Sequence, residues 1–186
     1  CFHTDEQANR LIKILGEKLQ EEGLSTRICA PDEFSVGKSV EVYNTFDNTA
    51  KSYIAAISSH SYWGSLADRH AFRDLALSEG KTAVMSETCE RGGHVHDHKS
   101  MAAALEMAWH ITTNVRDMGS HVWLWFEPVT DERLAITYPS NWGAIHASYQ
   151  GSEAQQYWIT KTFPGIAQYS RLIGPGDIII HNTDPY

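Results

Sequence analysis

The run Lys81-Thr82-Ala83-Val84-Met85-Ser86-Glu87 ends a short, mostly apolar segment on a carboxylate. It begins after Ser78-Glu79-Gly80, which reads as a helix stop with glycine in the C′ position, and it gives way at once to Cys89, Glu90 and Arg91-Gly92-Gly93. A carboxylate held at a strand end can act as a nucleophile or as an acid/base. The plain alternative is a solvated acid at the start of a loop. Other polar or aromatic side chains fall at the ends of comparable runs: Asp32 and Glu33, then His60 and Tyr62, then Trp125 and Glu127. A hydroxyl or imidazole such as Tyr62 or His60, set beside Glu87, would hold one of its oxygens and keep the carboxylate ionised, as a nucleophile requires. Without that neighbour, His60 and Tyr62 read as a hydrogen-bonded core pair.

His94-x-His96-x-His98 is the main rival centre. Alternating histidines on an extended segment share one side, and neutral imidazoles there bind transition metals. With Glu90, or with His60 from another strand, they would make a metal-dependent hydrolase. The segment is glycine-rich, however, and loop histidines are more often solvated, so the leading reading assigns no metal and no cofactor.

These groups need elements to hold them. Thr4-Asp5-Glu6-Gln7 is a capping box, followed by Ala8, Leu11, Ile12, Leu15 and Leu19 at helical spacing up to Gly23. Residues 26–30 read as a strand stopping at Pro31-Asp32-Glu33, with Cys29 a small buried apolar group inside it. A polar stretch follows through Asn44 and Asn48, with a short helix over 49–53. Residues 54–60 are the next strand, ending in Ser61-Tyr62-Trp63-Gly64, and Leu66, Ala67, His70, Ala71, Leu75 and Ala76 mark a helix. Beyond Glu87, a Gly/His loop leads to a long helix carrying Met101, Leu105, Ala108, Trp109 and Thr112. Residues 121–126 are a fourth strand. A long loop with Pro139, Trp142 and Gly143 then reaches Ser152-Glu153-Ala154-Gln155, a second capping box. Pro164 splits the helix that follows and suits the first turn of a new one. Gly174-Pro175-Gly176 turns the chain into residues 177–180, a terminal strand.

Four strands alternating with helices at roughly 30 residues per repeat describe βαβ units with right-handed crossovers. Two architectures fit: a doubly wound sheet, or half of a (β/α)8 barrel, whose complete form takes about 250 residues. No glycine-rich phosphate fingerprint follows any strand, which counts against a nucleotide-binding sheet. Polar groups at all four strand ends favour a barrel with its site on that face.

Composition narrows the partners. The 186 residues, 42% hydrophobic and 20% charged, are those of an ordinary globular chain with material for a good core. A formal net charge of -8 argues against nucleic acid and against an anionic membrane. No apolar run has the length of a membrane span. Cys1, Cys29 and Cys89 are too few and too far apart for a disulfide scaffold or a zinc ribbon. Cys1-Phe2-His3 runs almost directly into a helix with no initiator Met, so the chain is expected to be a piece of something longer.

Taken together, these segments resemble glycoside hydrolase family 30, barrel glycosidases that act with retention. The similarity spans most of the chain and is nearest to the bacterial endo-β-1,6-galactanase-like and xylanase-like members. Met85-Ser86-Glu87 resembles the nucleophile strand, the seventh of the barrel. Ser59-His60-Ser61-Tyr62 resembles the sixth, where an aromatic or imidazole group contacts that nucleophile. Trp123-Leu124-Trp125 resembles the eighth, which supplies a tryptophan under the sugar. Gln168-Tyr169-Ser170-Arg171-Leu172-Ile173-Gly174-Pro175-Gly176 is similar to the family's exit from the last helix into a β-sandwich. One departure stands out: the family's acid/base glutamate follows an Asn on the fourth strand, and no Asn-Glu pair occurs in this sequence.

The resemblance implies an α/β fold, with the C-terminal half of a (β/α)8 barrel over residues 1–176 and the start of a β-rich side domain over 177–186. The remaining N-terminal half of the barrel, with the general acid, would lie upstream of Cys1. The implied protein is secreted, periplasmic or cell-surface and cleaves a β-linked polysaccharide or oligosaccharide by double displacement. Glu87 would be the nucleophile, positioned by Tyr62 and His60. Trp125 would lie under the reactive sugar, Asp32 and Glu33 would orient sugar hydroxyls, and Trp63 and Trp142 would be outer platforms. Trp123 reads as core. A non-catalytic carbohydrate-binding barrel without an acid is a third reading. The expected partners are carbohydrate and the missing barrel half, not nucleic acid or membrane.

Overall fold

The computed structural model describes residues 4–89, 96–149 and 155–180. They fall into two units, Cys1–Glu87 with Asp117–Leu124, and Thr88–Arg116 with Trp125–Tyr186. The first contains α1 (Asp5–Glu21), β1 (Ile28–Ser35), α2 (Val36–Thr45), α3 (Asn48–Tyr53), β2 (Ile54–Trp63), α4 (Leu66–Ser78), β3 (Thr82–Glu87) and β4 (Val122–Trp123). Its four strands are all parallel, in the order β1-β2-β3-β4. A doubly wound sheet reverses its order at a switch point. Here it does not reverse. Successive right-handed crossovers then place the helices on one face, as they do around a barrel.

The core lies between that face and the helices. Ile28 and Ala30 of β1, Ile54 and Ile57 of β2, and Ala83 and Met85 of β3 pack with Val36, Val42 and Tyr43 of α2, Ala50 of α3, and Phe72 and Ala76 of α4. The α1 capping box forms as expected, with the Thr4 hydroxyl accepting from the Gln7 amide and the Gln7 side chain accepting from the Thr4 amide. Of the apolar positions in α1, Ile12 is buried and Ala8 and Leu19 pack at the core margin, whereas Leu11 and Leu15 are exposed.

Several local expectations are corrected. Cys29 is exposed rather than buried, because alternation along β1 sends Ile28 and Ala30 to the helices and Cys29 to the opposite face. The polar stretch after β1 is a helix: Ser35 caps α2 by accepting from the Lys38 amide, and Val36, Ser39, Val42 and Tyr43 are its buried stripe. Lys38 and Glu41 mask that stripe in the sequence. β1 and β2 each run further than their apolar runs, to Ser35 and Trp63, because the two residues pair with each other. The fourth strand is only Val122–Trp123, prolonged by one bond from the Leu124 amide to the Met85 carbonyl.

The second unit contains α5 (Met101–Arg116), β5 (Val129–Asp131), α6 (Glu132–Thr137), β6 (Ile145–Ala147), β7 (Tyr157–Ile159) and α7 (Thr162–Ser170). α5 packs against α7, where the Tyr169 hydroxyl reaches the Ala108 carbonyl at 3.3 Å. The expected long loop after residue 126 instead builds a small sheet, β5 parallel to β6 and β6 antiparallel to β7. Strands of three residues are too short to show a period in the sequence. Of the expected capping box at 152–155, all but Gln155 lies outside the described residues, and Tyr157–Ile159 is strand rather than helix. Pro164 does fall in the first turn of α7, where a missing amide costs no helical bond. Residues 177–180, expected as a strand, have no strand pairing among the described residues, and Ile178 and Ile180 are exposed. No described helix is long and apolar enough to cross a membrane.

Candidate active site

The C-terminal ends of β1, β2 and β3 bring together four side chains singled out from the sequence. The Tyr62 hydroxyl donates to Glu87 Oε1 at 2.7 Å. His60 Nδ1 lies 3.5 Å from the same oxygen, and its Nε2 lies 3.7 Å from Asp32 Oδ2. The Ser86 hydroxyl donates to Asp32 Oδ1. The result is a polar chain across three strands, with the His60 ring between two carboxylates and edge-on to Tyr62.

Register irregularities aim these groups. Along β1 and β2, Pro31 pairs with Ser58 and Glu33 with Ser59, which leaves Asp32 as an extra residue. Along β2 and β3, Ser59 pairs with Met85 and His60 with Glu87, which leaves Ser86 extra. Bulges of this kind re-aim side chains and recur beside active sites. Asp32 also adopts a φ of 67°, a left-handed backbone that Asp tolerates better than most residues because its short polar side chain bonds locally.

Charge follows geometry. Partial loss of water pushes the Asp32 carboxyl up, but its bonds to His60 and Ser86 outweigh this and hold it below the usual carboxylate range. The Asp32 interaction, opposed by burial and helped by the charges of Glu87 and Glu33, holds the His60 imidazole above its ordinary value. The His60 ring thus lies between the Asp32 and Glu87 carboxyl groups, with its pKa raised by that placement.

Glu33 has its amide bonded to Ser39 Oγ at 3.2 Å, and its carbonyl receives Ser59 Oγ at 3.4 Å. Trp63, on the last residue of β2, is exposed and meets Phe34 edge to face at a ring separation of 5.7 Å. Phe34 is an aromatic partner that sequence reasoning passed over. Trp123 packs at the margin of the core, as expected. Trp125 and Trp142 belong to the second unit, where the Trp125 indole N–H donates to the Trp142 carbonyl at 2.6 Å.

That unit holds another cluster. Nε2 of His96, Nε2 of His98 and Nδ1 of His146 stand 3.1, 3.1 and 3.0 Å from one oxygen, Oε2 of Glu132. His146 is fully buried and the other three are partly buried. Burial pushes the Glu132 carboxyl up, but His98 and His96 outweigh this and hold it below its usual range; burial holds His146 below the ordinary imidazole value. His94 and Glu90, the other residues of the expected histidine centre, lie outside the described residues. His60 belongs to the Glu87 chain instead. Neither Glu132 nor His146 carries a local sequence signal, since they join His96 and His98 only through α6 and β6.

Neither a protein-family profile nor a curated protein matches the sequence. Solved structures do. The catalytic domain of the family 30 xylanase C from Talaromyces cellulolyticus superposes with a TM-score of 0.65 at 19% identity, over 94% of this chain and 37% of that one. An endo-β1,6-glucanase superposes with a TM-score of 0.63 at 21% identity, over 94% and 40%. The family 30 subfamily 8 xylanase of Clostridium acetobutylicum gives 0.56 at 19%, over 95% and 38%. The fold is that of part of a family 30 glycoside hydrolase barrel. The chain spans well under half the length of these structures. In (β/α)8 barrels the strand C-termini form the site face, and Asp32, His60, Tyr62 and Glu87 lie in the C-terminal halves of β1, β2 and β3 here. Ser86, a residue with no role legible in the sequence, bonds to Asp32.

Proposed function

We propose that this chain carries the nucleophile-bearing part of a retaining β-glycoside hydrolase, with Glu87 as the nucleophile. The observation that supports it is the 2.7 Å bond from Tyr62 to Glu87 at the ends of adjacent parallel strands, with His60 on the same oxygen. Tyr62 and His60 both address Oε1, so Oε2 is assigned to the attack. It bonds to the anomeric carbon as the glycosidic C–O bond breaks, and a general acid protonates the departing oxygen. The same group, now a base, takes a proton from water, whose oxygen displaces Glu87 and restores its carboxylate.

Asp32 does not suit the acid role, because its bonds hold it ionised below the usual range. The acid is assigned to the family's fourth barrel strand, outside the four strands described here. Asp32 instead braces His60, with one oxygen committed to Ser86. Glu33 and the Phe34–Trp63 pair are assigned to sugar hydroxyls and apolar sugar faces. Trp125 is assigned to the reactive sugar and Trp142 to an outer position. The substrate class is a β-linked polysaccharide or oligosaccharide, and the neighbours, two xylanases and a β1,6-glucanase, make xylan and β-glucan the first to try. An exported protein, and residues 177–186 as the start of a side domain, belong to the same proposal.

The test is mass spectrometry after incubation with 2-fluoro xylosides and glucosides that carry an activated leaving group. Such a leaving group departs with little acid assistance, so the trap reports the nucleophile by itself. A glycosyl adduct on the peptide containing Glu87 is expected. Folded protein that yields no adduct, or an adduct on another residue, would overturn the assignment.

A further inference from the structure

We propose that His96, His98, His146 and Glu132 form a four-ligand zinc site that ties the segment before α5 to α6 and β6. The four donor atoms lie within 4.8 Å of one another. A tetrahedral zinc with bonds of 2.0–2.1 Å sets its ligand atoms about 3.4 Å apart. The three nitrogen–oxygen separations, 3.0 to 3.1 Å, are already near that spacing.

As a purely hydrogen-bonded cluster the arrangement is poor. One carboxylate oxygen has two lone pairs, and three imidazole nitrogens converge on it. His146 is also fully buried, and its Nε2 has no hydrogen-bond partner among the described residues. Burying an imidazole against a single partner is costly. An ion at the centre removes the first of these costs and offsets part of the second, leaving only the Nε2 N–H of His146 unpaired among the described residues. Each nitrogen and the carboxylate oxygen would direct a lone pair at the metal, and a metal bond at His146 Nδ1 would offset its burial.

The donors choose the ion. Three imidazoles and one carboxylate suit zinc and its transition-metal neighbours, whereas calcium and magnesium take oxygen. Backbone structure already places the ligands. His96 and His98 are two residues apart, Glu132 opens α6, and His146 is the central residue of β6, paired to Thr130 of β5. The His98 ring stacks on Trp158 of β7 at 5.1 Å, and the His96 and His146 rings stack at 5.3 Å. All four ligands come from the protein. That closure marks a structural zinc rather than a hydrolytic one, which keeps a position open for water.

The test uses the whole protein, purified without chelator or metal-affinity resin. Elemental mass spectrometry is expected to find one zinc per chain, and cobalt(II) substitution is expected to give the visible spectrum of a four-coordinate site. Chelation should lower Tm, and zinc, not calcium or magnesium, should restore it. His96→Gln and His98→Gln, at the less buried ligands, should each weaken zinc binding at least about 100-fold. His121→Gln, at an exposed histidine, should not. Folded wild-type protein that takes up no stoichiometric zinc would overturn the site, as would equal zinc binding by the His96→Gln/His98→Gln double variant. Should the variants fail to fold, wild-type stoichiometry and the cobalt spectrum decide alone. None of these readouts depends on glycosidase activity.

Discussion

Asp32 on β1 and Ser86 on β3 are hydrogen-bonded to each other across the intervening strand β2, and each is the extra residue at an irregularity in its strand's register. The bond fixes the Asp32 carboxylate where it faces His60, and His60 in turn faces Glu87. Two local departures from regular pairing thus set the ring that braces the proposed nucleophile.

The Asp32–His60 pair should therefore make stability depend on pH in a defined window. His60 is raised in the folded state, so its contribution is complete below the unfolded value of about 6.5 and is lost as pH rises through the folded value. Asp32 is lowered, so its contribution is complete above about 3.9 and is lost as pH falls through the folded value. The stability difference between wild type and Asp32→Asn should peak between about pH 4 and 6.5. In the variant, the His60 ring resonances should titrate at lower pH than in wild type. An unchanged His60 titration would show that Asp32 is not its main partner.

Replacing Glu87 by Gln should cut turnover at least about a thousandfold, equivalent to about 4 kcal/mol of barrier, while the fold and sugar binding persist. Steady-state kinetics with an activated aryl glycoside, alongside binding of the unreactive sugar, separates the two effects. Retained turnover would move the nucleophile elsewhere.

Tyr62→Phe deletes one hydroxyl and leaves the ring. A hydrogen bond to a charged group contributes about 1.5–3 kcal/mol. If Tyr62 orients Glu87 in the transition state, the rate of glycosyl-enzyme formation should fall roughly 10- to 100-fold. Pre-steady-state trapping with the 2-fluoro glycoside measures that step. An unaltered rate would reduce Tyr62 to packing.

Gly16 of α1 lies against the ring of Tyr53 at the end of α3, and a Cβ there would overlap the ring carbons. The ring is partly buried at the margin of the core, beside an open pocket that it lines together with Gly16. Gly16→Ala should destabilise the protein by about 1–3 kcal/mol, despite the better helix propensity of alanine. Chemical denaturation reads the change directly. A stabilised variant would mean that α1 and α3 are not in contact at this point.

The sequence by itself determined the βα alternation and the strand-end positions of Asp32, His60, Tyr62 and Glu87. These rest on local periods, caps and apolar runs, such as the Thr4 capping box and the run into Glu87. It favoured a barrel over a doubly wound sheet from the strand-end groups but did not fix the strand order, because that order is a matter of pairing between distant segments. Only the tertiary structure decided that order, along with the exposure of Cys29, the extension of β2 to Trp63 and the role of Ser86. It also decided that His96 and His98 face Glu132 and His146. Glu132 lies 34 residues along the chain from His98, His146 lies further still on a three-residue strand, and no local pattern links them. Side chains so separated meet only when packing closes the intervening chain.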